Sequence, residues 1–464
     1  MTPAQRPIGA VFLVFFATLI LGGITRLIPP MQSPDENFHL LRADMIAHGQ
    51  LFLQPAESGL RREGGLVDTN FLKFSESMLQ ISGNDGDKDI AAKLWESAKD
   101  VKWSHSKSYY NAVGTGYYLP VIYIPHALGL LISRKLDLDM RTSYELTRAL
   151  VVATSLSLLA LALSIYTPNV LSLMLLVTPM TLFQLSSPTI DGLCAAMALL
   201  AIGLWLNVSA SERYLAGATP AAKEIVLYGL VIVLCTARTN LLPMLLIPLW
   251  LAFARPSGWR VAAVAVVCLF TLGWIAFTII TIQDSRLVRE YSTSSIFIKY
   301  LSNPIEFYNL LAGTLGDDDV RRFYRDSYFG ILGWLDTPIP RQAVRIMYVV
   351  SVITAVALAL FSPWRHHSRQ RALLVLMGAA SAFLIFVALA IAWTNYPAEK
   401  ISGIQGRYFF IPILLLVAAL GKMQTGARNL RPLEILLFCS FFAYSLYTLS
   451  TTLAGQYKLA TLPI

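Results

Sequence analysis

The residues best placed to do chemistry come early: "SPDENFHLLRADMIAHG" sets Asp35 and Glu36 side by side, with His39 one helical turn after Asp35, just beyond the first apolar run. A carboxylate held at a membrane surface can take a proton from an incoming hydroxyl, and a positioned base of this kind contributes about 10²- to 10⁴-fold to a rate. The competing reading is that both acids only cap a helix started by Pro34, where carboxylates suit the helix dipole. A second group surrounds Arg407 in "AEKISGIQGRYFFIP", with Gln405, Tyr408, Lys400, Gly403 and Gly406 close in sequence. Its guanidinium offers a two-pronged fork to a phosphate, and the glycines would let a ligand approach the backbone; the alternative is an interfacial arginine beside an aromatic belt residue. A third is Arg238 in "VLCTARTNLLP", which sits between two apolar segments with almost no loop. A cation there needs a partner, either Asp191 of "SSPTIDG" or a lipid phosphate. His39 with Asp35 is a weak metal pair, and Asp317 to Asp319 read more naturally as a helix cap than as a cation cluster, so a divalent metal is possible without being indicated.

These residues must be positioned by membrane helices. The 464-residue chain is 55% hydrophobic and 14% charged. Apolar runs at 8–28, 117–133, 149–166, 169–187, 190–207, 224–237, 239–254, 260–282, 343–361, 371–393, 405–421 and 432–453 are candidates to cross a bilayer. The expected fold is an all-α polytopic transmembrane bundle of 11–12 spans, one integral membrane domain over 1–464 with two long polar stretches, 29–116 and 283–342. The first run is too long for a signal-peptide core and reads as a retained helix. The net charge of +9 sits largely in short loops, as the positive-inside rule requires, so it does not argue for nucleic acid. Cys194, Cys235, Cys268 and Cys439 lie inside apolar runs without metal-ligand spacing.

The basic loops 134–148, 255–260, 365–371 and 422–431 are expected in the cytoplasm and the two long stretches outside. Five apolar segments lie between the first two of these loops, an odd number, so one segment cannot cross. The break at Thr167 to Asn169 and Pro179 points to the 149–187 stretch as the defect. Asp35, Asp191, Arg238 and Arg407 then converge on the outer side. In the second long stretch, "YFGILGWLDTPIP" puts Tyr328, Phe329, Trp334 and Asp336 among glycines and prolines, as in a rigid aromatic ledge for a sugar or for the interface.

An acid pair after the first span, a long outer loop with interfacial helices, and cations at later span ends resemble the GT-C superfamily of membrane glycosyltransferases. More closely, "SPDENFH", "SSPTIDG", "GILGWLD" and "IQGRYF" are similar, in order, to the motif series of a bacterial family of polytopic membrane proteins with P-D-E-x-x-H and Q-G-R-Y patterns. Asn37-Phe38 and Arg238 depart from that family's usual residues, which bears on substrate detail. The resemblance implies inverting transfer from a polyprenyl-phosphate-linked sugar to a cell-envelope glycan or lipid acceptor, at the outer face of a bacterial inner membrane. Asp35 would be the base, Glu36 its neighbour or an acceptor-orienting group, and Arg407 with Arg238 the donor phosphate clamp beside Tyr408. His39, Asp191, Gln405, Trp334 and Asp336 would support them. A flippase or transporter for lipid-linked glycans, and a polymerase-like enzyme, remain the alternatives.

Overall fold

Uninterrupted apolar runs become uninterrupted helices, and runs punctuated by proline do not. The computed structural model describes residues 21–55, 62–82, 90–210, 222–282, 290–421 and 431–457; most of the first apolar run, and Lys422 and Arg428, lie outside them. Among the described residues six helices are long and apolar enough to cross a membrane: Met140–Ile165, Ile190–Ser209, Gly258–Thr281, Arg341–Leu360, Ser368–Ala392 and Pro432–Tyr457. The protein is an all-α polytopic membrane protein. Its few strands are a three-stranded antiparallel sheet, Gln54–Pro55, Arg62–Asp68 and Lys107–Asn111, and a short hairpin, Ile331–Leu332 with Thr337–Pro338.

The expected span 169–187 is two helices, Val170–Leu176 and Pro179–Leu185, each about 10 Å long at 1.5 Å per residue. Local chemistry sets both starts: Asn169 accepts from the Ser172 amide, and Thr178 accepts from the Thr181 amide with Pro179 in the first turn. Asn169 Nδ2 also donates to the carbonyls of Val417 and Leu420, which satisfies the end of a neighbouring helix. Gly192 lets the central helix Ile190–Ala210 close on this broken element, since a Cβ there would lie 2.8 Å from the Gln184 carbonyl oxygen.

The helix ends sort into two faces. On one lie Asp35, Asp191, Arg238 and Arg407; on the other, Arg371 binds the carbonyls of Ala419 and Gly421, Arg255 those of Val208 and Ser209, and Arg260 pairs with Glu224 at 2.9 Å. The broken element connects the faces: its start is tied to Val417 and Leu420, and its end leads to Asp191. It is a traverse and not the defect expected from the parity argument.

The defect is 117–133. Proline interrupts this run at 120 and 125, leaving a 3-10 turn, Pro120–Tyr123, and the helix Ile124–Lys135. Three hydrogen bonds hold it on the Asp35 face: Trp274 Nε1 donates to the Tyr117 carbonyl at 3.0 Å, Tyr123 bonds His39, and His126 Nε2 meets the Pro188 carbonyl at 3.2 Å. The basic stretch 134–148 is therefore on the same face as the first polar stretch, contrary to expectation. Its cations answer local carboxylates: Arg134 pairs with Asp44, and Arg141 lies 3.5 Å from Glu96, while Asp137 of this stretch takes Lys102 at 3.7 Å. A neutralised cation is a poor guide to topology, which is why the charge reading failed here. Exchanging one non-crossing segment for another leaves the expected number of crossings unchanged; the described part of the first run ends at Ile28 beside Arg148.

A reporter fused in the turn at Asp137 should lie on the same side as fusions at Asp191 and Arg238 and opposite one at Arg255. Agreement of the Asp137 and Arg255 reporters would restore 117–133 as a full crossing.

Candidate functional site

The acid pair divides into a structural residue and an available one. Glu36 is fully buried, and its carboxylate accepts from the amides of Met31 (3.1 Å) and Ser33 (3.0 Å) and from the Tyr144 hydroxyl (2.6 Å). Burial pushes its pKa up, opposed by the nearby Arg148 and by these hydrogen bonds. Fully buried, with three donors already in place, Glu36 locks the loop and is not open to an acceptor from outside. Two further bonds hold that loop: Trp334 Nε1 donates to the Met31 carbonyl and Gln32 Nε2 to the Met78 carbonyl, both at 2.9 Å.

Asp35 is what the locked loop presents. It precedes the helix Glu36–Ala47 in a left-handed conformation, φ 64°, and its side chain makes no capping hydrogen bond. Non-glycine residues in this region cost about 1–3 kcal/mol and persist only where the surroundings impose them. The capping reading therefore fails for Asp35, and Glu36 binds amides of the loop before the helix instead of those of the helix itself. The Asp35 carboxylate turns instead to Arg407, with Oδ2 2.8 Å from Nη2; it is 47% exposed, whereas Arg407 is 5% exposed. Burial raises the Asp35 pKa, but Arg407 and, more weakly, Arg238 outweigh it, and the acid is held below the usual carboxylate range.

Arg407 Nη1 also reaches Asp191 Oδ2 at 3.4 Å, and Arg238 pairs with the other oxygen of Asp191. Asp35, Arg407, Asp191 and Arg238 thus form one alternating chain of charges, joining four elements far apart in sequence. Asp191 lies in the first turn of Ile190–Ala210, where the dipole favours an anion. Arg238 stands between Ala222–Ala237 and the 3-10 turn Thr239–Leu245. The ion pair with Asp191 is formed, and the Arg407 Nε is buried without a partner, as is Gln405 Oε1. The Arg407 guanidinium lies 5.4 Å from the centre of the Tyr408 ring.

His39 is buried; its Nδ1 is 2.9 Å from the Tyr123 hydroxyl, and the rings of Tyr118 and Tyr123 flank it at 5.8 Å. Burial lowers its pKa to about 3, so the imidazole is neutral. Among the described residues no three His, Cys, Asp or Glu side chains converge as a metal-ligand group. Asp317 caps the helix Asp318–Phe329 through the amides of Asp319 (2.8 Å) and Val320 (3.0 Å) and pairs with Lys400, which keeps that lysine away from Arg407.

Two expectations change character. Gly406 is not where a ligand approaches the backbone: its amide donates to Ser327 Oγ at 2.8 Å, and a Cβ would collide with the Tyr324 carbonyl oxygen. Gly403, at φ 79°, is packed beneath the Trp393 ring. The aromatic ledge is a buttress, since the Trp334 N–H is spent on Met31, Asp336 accepts from Ser82 Oγ (2.9 Å) and Thr337 Oγ1 (3.0 Å), and Tyr328 and Phe329 are buried. Sequence reading overlooked Tyr144, which binds Glu36 and Arg148 together, and Tyr123. A tyrosine and an arginine four apart at the start of a span, in "SYELTR", is the signal that could have found the first.

A many-helix membrane bundle with an ionisable cluster at the ends of its spans is the class these features define. The chain belongs to a family described as "Predicted membrane protein (DUF2142)", whose match covers residues 16–417. No curated protein and no solved structure matches it.

The division of labour between the acids predicts unequal stability effects. Glu36→Leu strands a buried tyrosine hydroxyl, an arginine and two amides, and should destabilise by about 3–5 kcal/mol; Asp35→Asn keeps a polar partner for Arg407 and leaves it Asp191, and should cost less, about 1–3 kcal/mol. Thermal unfolding of the purified protein in detergent measures both, and equal losses would contradict the assignment.

Proposed function

We propose that the protein transfers a sugar from a polyprenyl-phosphate-linked donor to a cell-envelope glycan or lipid acceptor, with inversion at the anomeric carbon. The observation that carries this reading is the Asp35 carboxylate: half-exposed, ionised, unused as a cap and fixed against a buried arginine. The acceptor hydroxyl oxygen attacks the anomeric carbon as the bond from that carbon to the phosphate oxygen breaks. Asp35 takes the hydroxyl proton, and the leaving polyprenyl phosphate keeps the electron pair. Arg407 and Arg238 oppose the charge that grows on the phosphate, which in a water-poor site is worth more than in solution. Donor phosphate would engage guanidinium N–H groups that the two aspartates leave free, the Arg407 Nε among them.

Orientation supports the same reading. Arg255, Arg260 and Arg371 lie on the face opposite Asp35, and under the positive-inside rule this supports a cytoplasmic position for that face and an outer one for the site. A lipid-linked donor presents its sugar there without a nucleotide. A transporter of lipid-linked glycans is the second reading, favoured by the broken helices beside the charge chain.

With a panel of polyprenyl-phosphate sugars and envelope acceptors in proteoliposomes, the wild type should add mass to an acceptor. Asp35→Asn should lower that rate by about 10²- to 10⁴-fold while donor binding survives. Arg407→Lys should suffer more than Arg238→Lys, because an ammonium cannot bridge two carboxylates as the fork does. Full activity of Asp35→Asn would remove the base; vectorial movement of an unmodified lipid-linked glycan, with no new glycosidic bond, would favour the transporter.

A further inference from the structure

A groove separate from the charge chain opens where the helix Gly258–Thr281 meets the Asp35 face, lined by Arg42, Leu53, Arg62, Phe52, Trp274 and Phe277. Neither arginine in it has a carboxylate within ion-pair distance among the described residues. Arg42 is 1% exposed; its Nη1 and Nη2 donate to the carbonyls of Gln50 (3.1 Å) and Leu51 (2.6 Å), and its Nε is buried with no partner. Carbonyl oxygens satisfy N–H groups without cancelling the charge, and burial lowers the guanidinium pKa to about 10. Arg62 is held beside the end of the same helix by a backbone bridge to Ile282, with its guanidinium 5.5 Å from the centre of the Phe52 ring and 5.7 Å from that of Phe277.

The surroundings say which anion fits. Gly258–Thr281 is the least buried of the six long helices, and Ile279 and Ile280, next to the groove, are 62% and 73% exposed. Phe52 and Phe277 are themselves 46% and 36% exposed. Two uncompensated cations at the rim of a lipid-facing helix, floored by aromatic rings, suit an amphiphile whose anionic head and apolar chain are accommodated together.

We propose that this groove binds the phosphate headgroup of an anionic membrane lipid, with the phosphate on Arg62, the buried charge of Arg42 beneath it, and the first methylenes of the chain against Phe52, Trp274 and Phe277. The site is independent of the chemistry assigned to Asp35, which lies seven residues before Arg42, about 10 Å along the helix axis. A transferase and a transporter would both carry it.

Native mass spectrometry of the full chain, purified in detergent and titrated with phosphatidylglycerol, phosphatidylcholine or inorganic phosphate, tests the inference. Phosphatidylglycerol should bind the wild type about tenfold more tightly than phosphatidylcholine, whose phosphate is the same but whose choline cation opposes the two arginines. Arg62→Gln, at a half-buried surface position, should erase that preference, and Arg62→Lys should keep part of it. Equal affinities for the two lipids in the wild type, or an undiminished preference in Arg62→Gln, would overturn the proposal. Inorganic phosphate displacing phosphatidylglycerol at equal concentration would do so too, by reducing the groove to a site for free anions.

Discussion

Arg407 bridging Asp35 and Asp191 is the interaction on which the architecture turns. An arginine that is 5% exposed among membrane helices is tolerable only when opposing charge neutralises it and its N–H groups are largely satisfied. Asp35 comes from the loop after the first apolar run and Asp191 from the first turn of the central helix. Arg238, beyond Asp191, adds the junction between two further traverses. Four elements spread over 372 residues of sequence are thereby required to end at one level of the bundle, and the alternation of sign lets each charge compensate its neighbours.

The same constraint explains why adjacent acids have different fates. Glu36 is surrounded by donors from its own loop and from Tyr144, so it holds the backbone; Asp35 is then carried in a left-handed conformation that aims its carboxylate away from the helix it precedes. The hairpin at 331–338 completes the arrangement from the other long polar stretch, since the Trp334 indole reaches the same loop. Rigidity is thus assembled around a group that is itself half open, which is the disposition a proton acceptor requires.

Much of this was legible in the sequence. Long apolar runs identify the helices directly, and the cost of isolated charges at span ends singles out Asp191, Arg238 and Arg407 before any coordinates. What could not be read was which contacts those residues make. Arg134 and Arg141 look like cytoplasmic cations until Asp44 and Glu96 are seen opposite them. The run at 117–133 is apolar enough to cross, but Pro120 and Pro125 shorten its helix, and His39, Pro188 and Asp44 hold the segment on one face. Trp334, Gly403 and Gly406 carry a pattern that suits ligand binding as well as packing, and only distances separate the two.

A double-mutant cycle on Asp35→Asn and Arg407→Gln, read as the rate of sugar transfer to acceptor by mass, tests most directly whether these two charges act as one unit. If Arg407 both holds Asp35 in its ionised, aimed state and receives the leaving phosphate, the losses should be strongly non-additive, with the double variant within a few-fold of the worse single one. Losses that multiply, as for two independent residues, would contradict the coupling at the centre of this account.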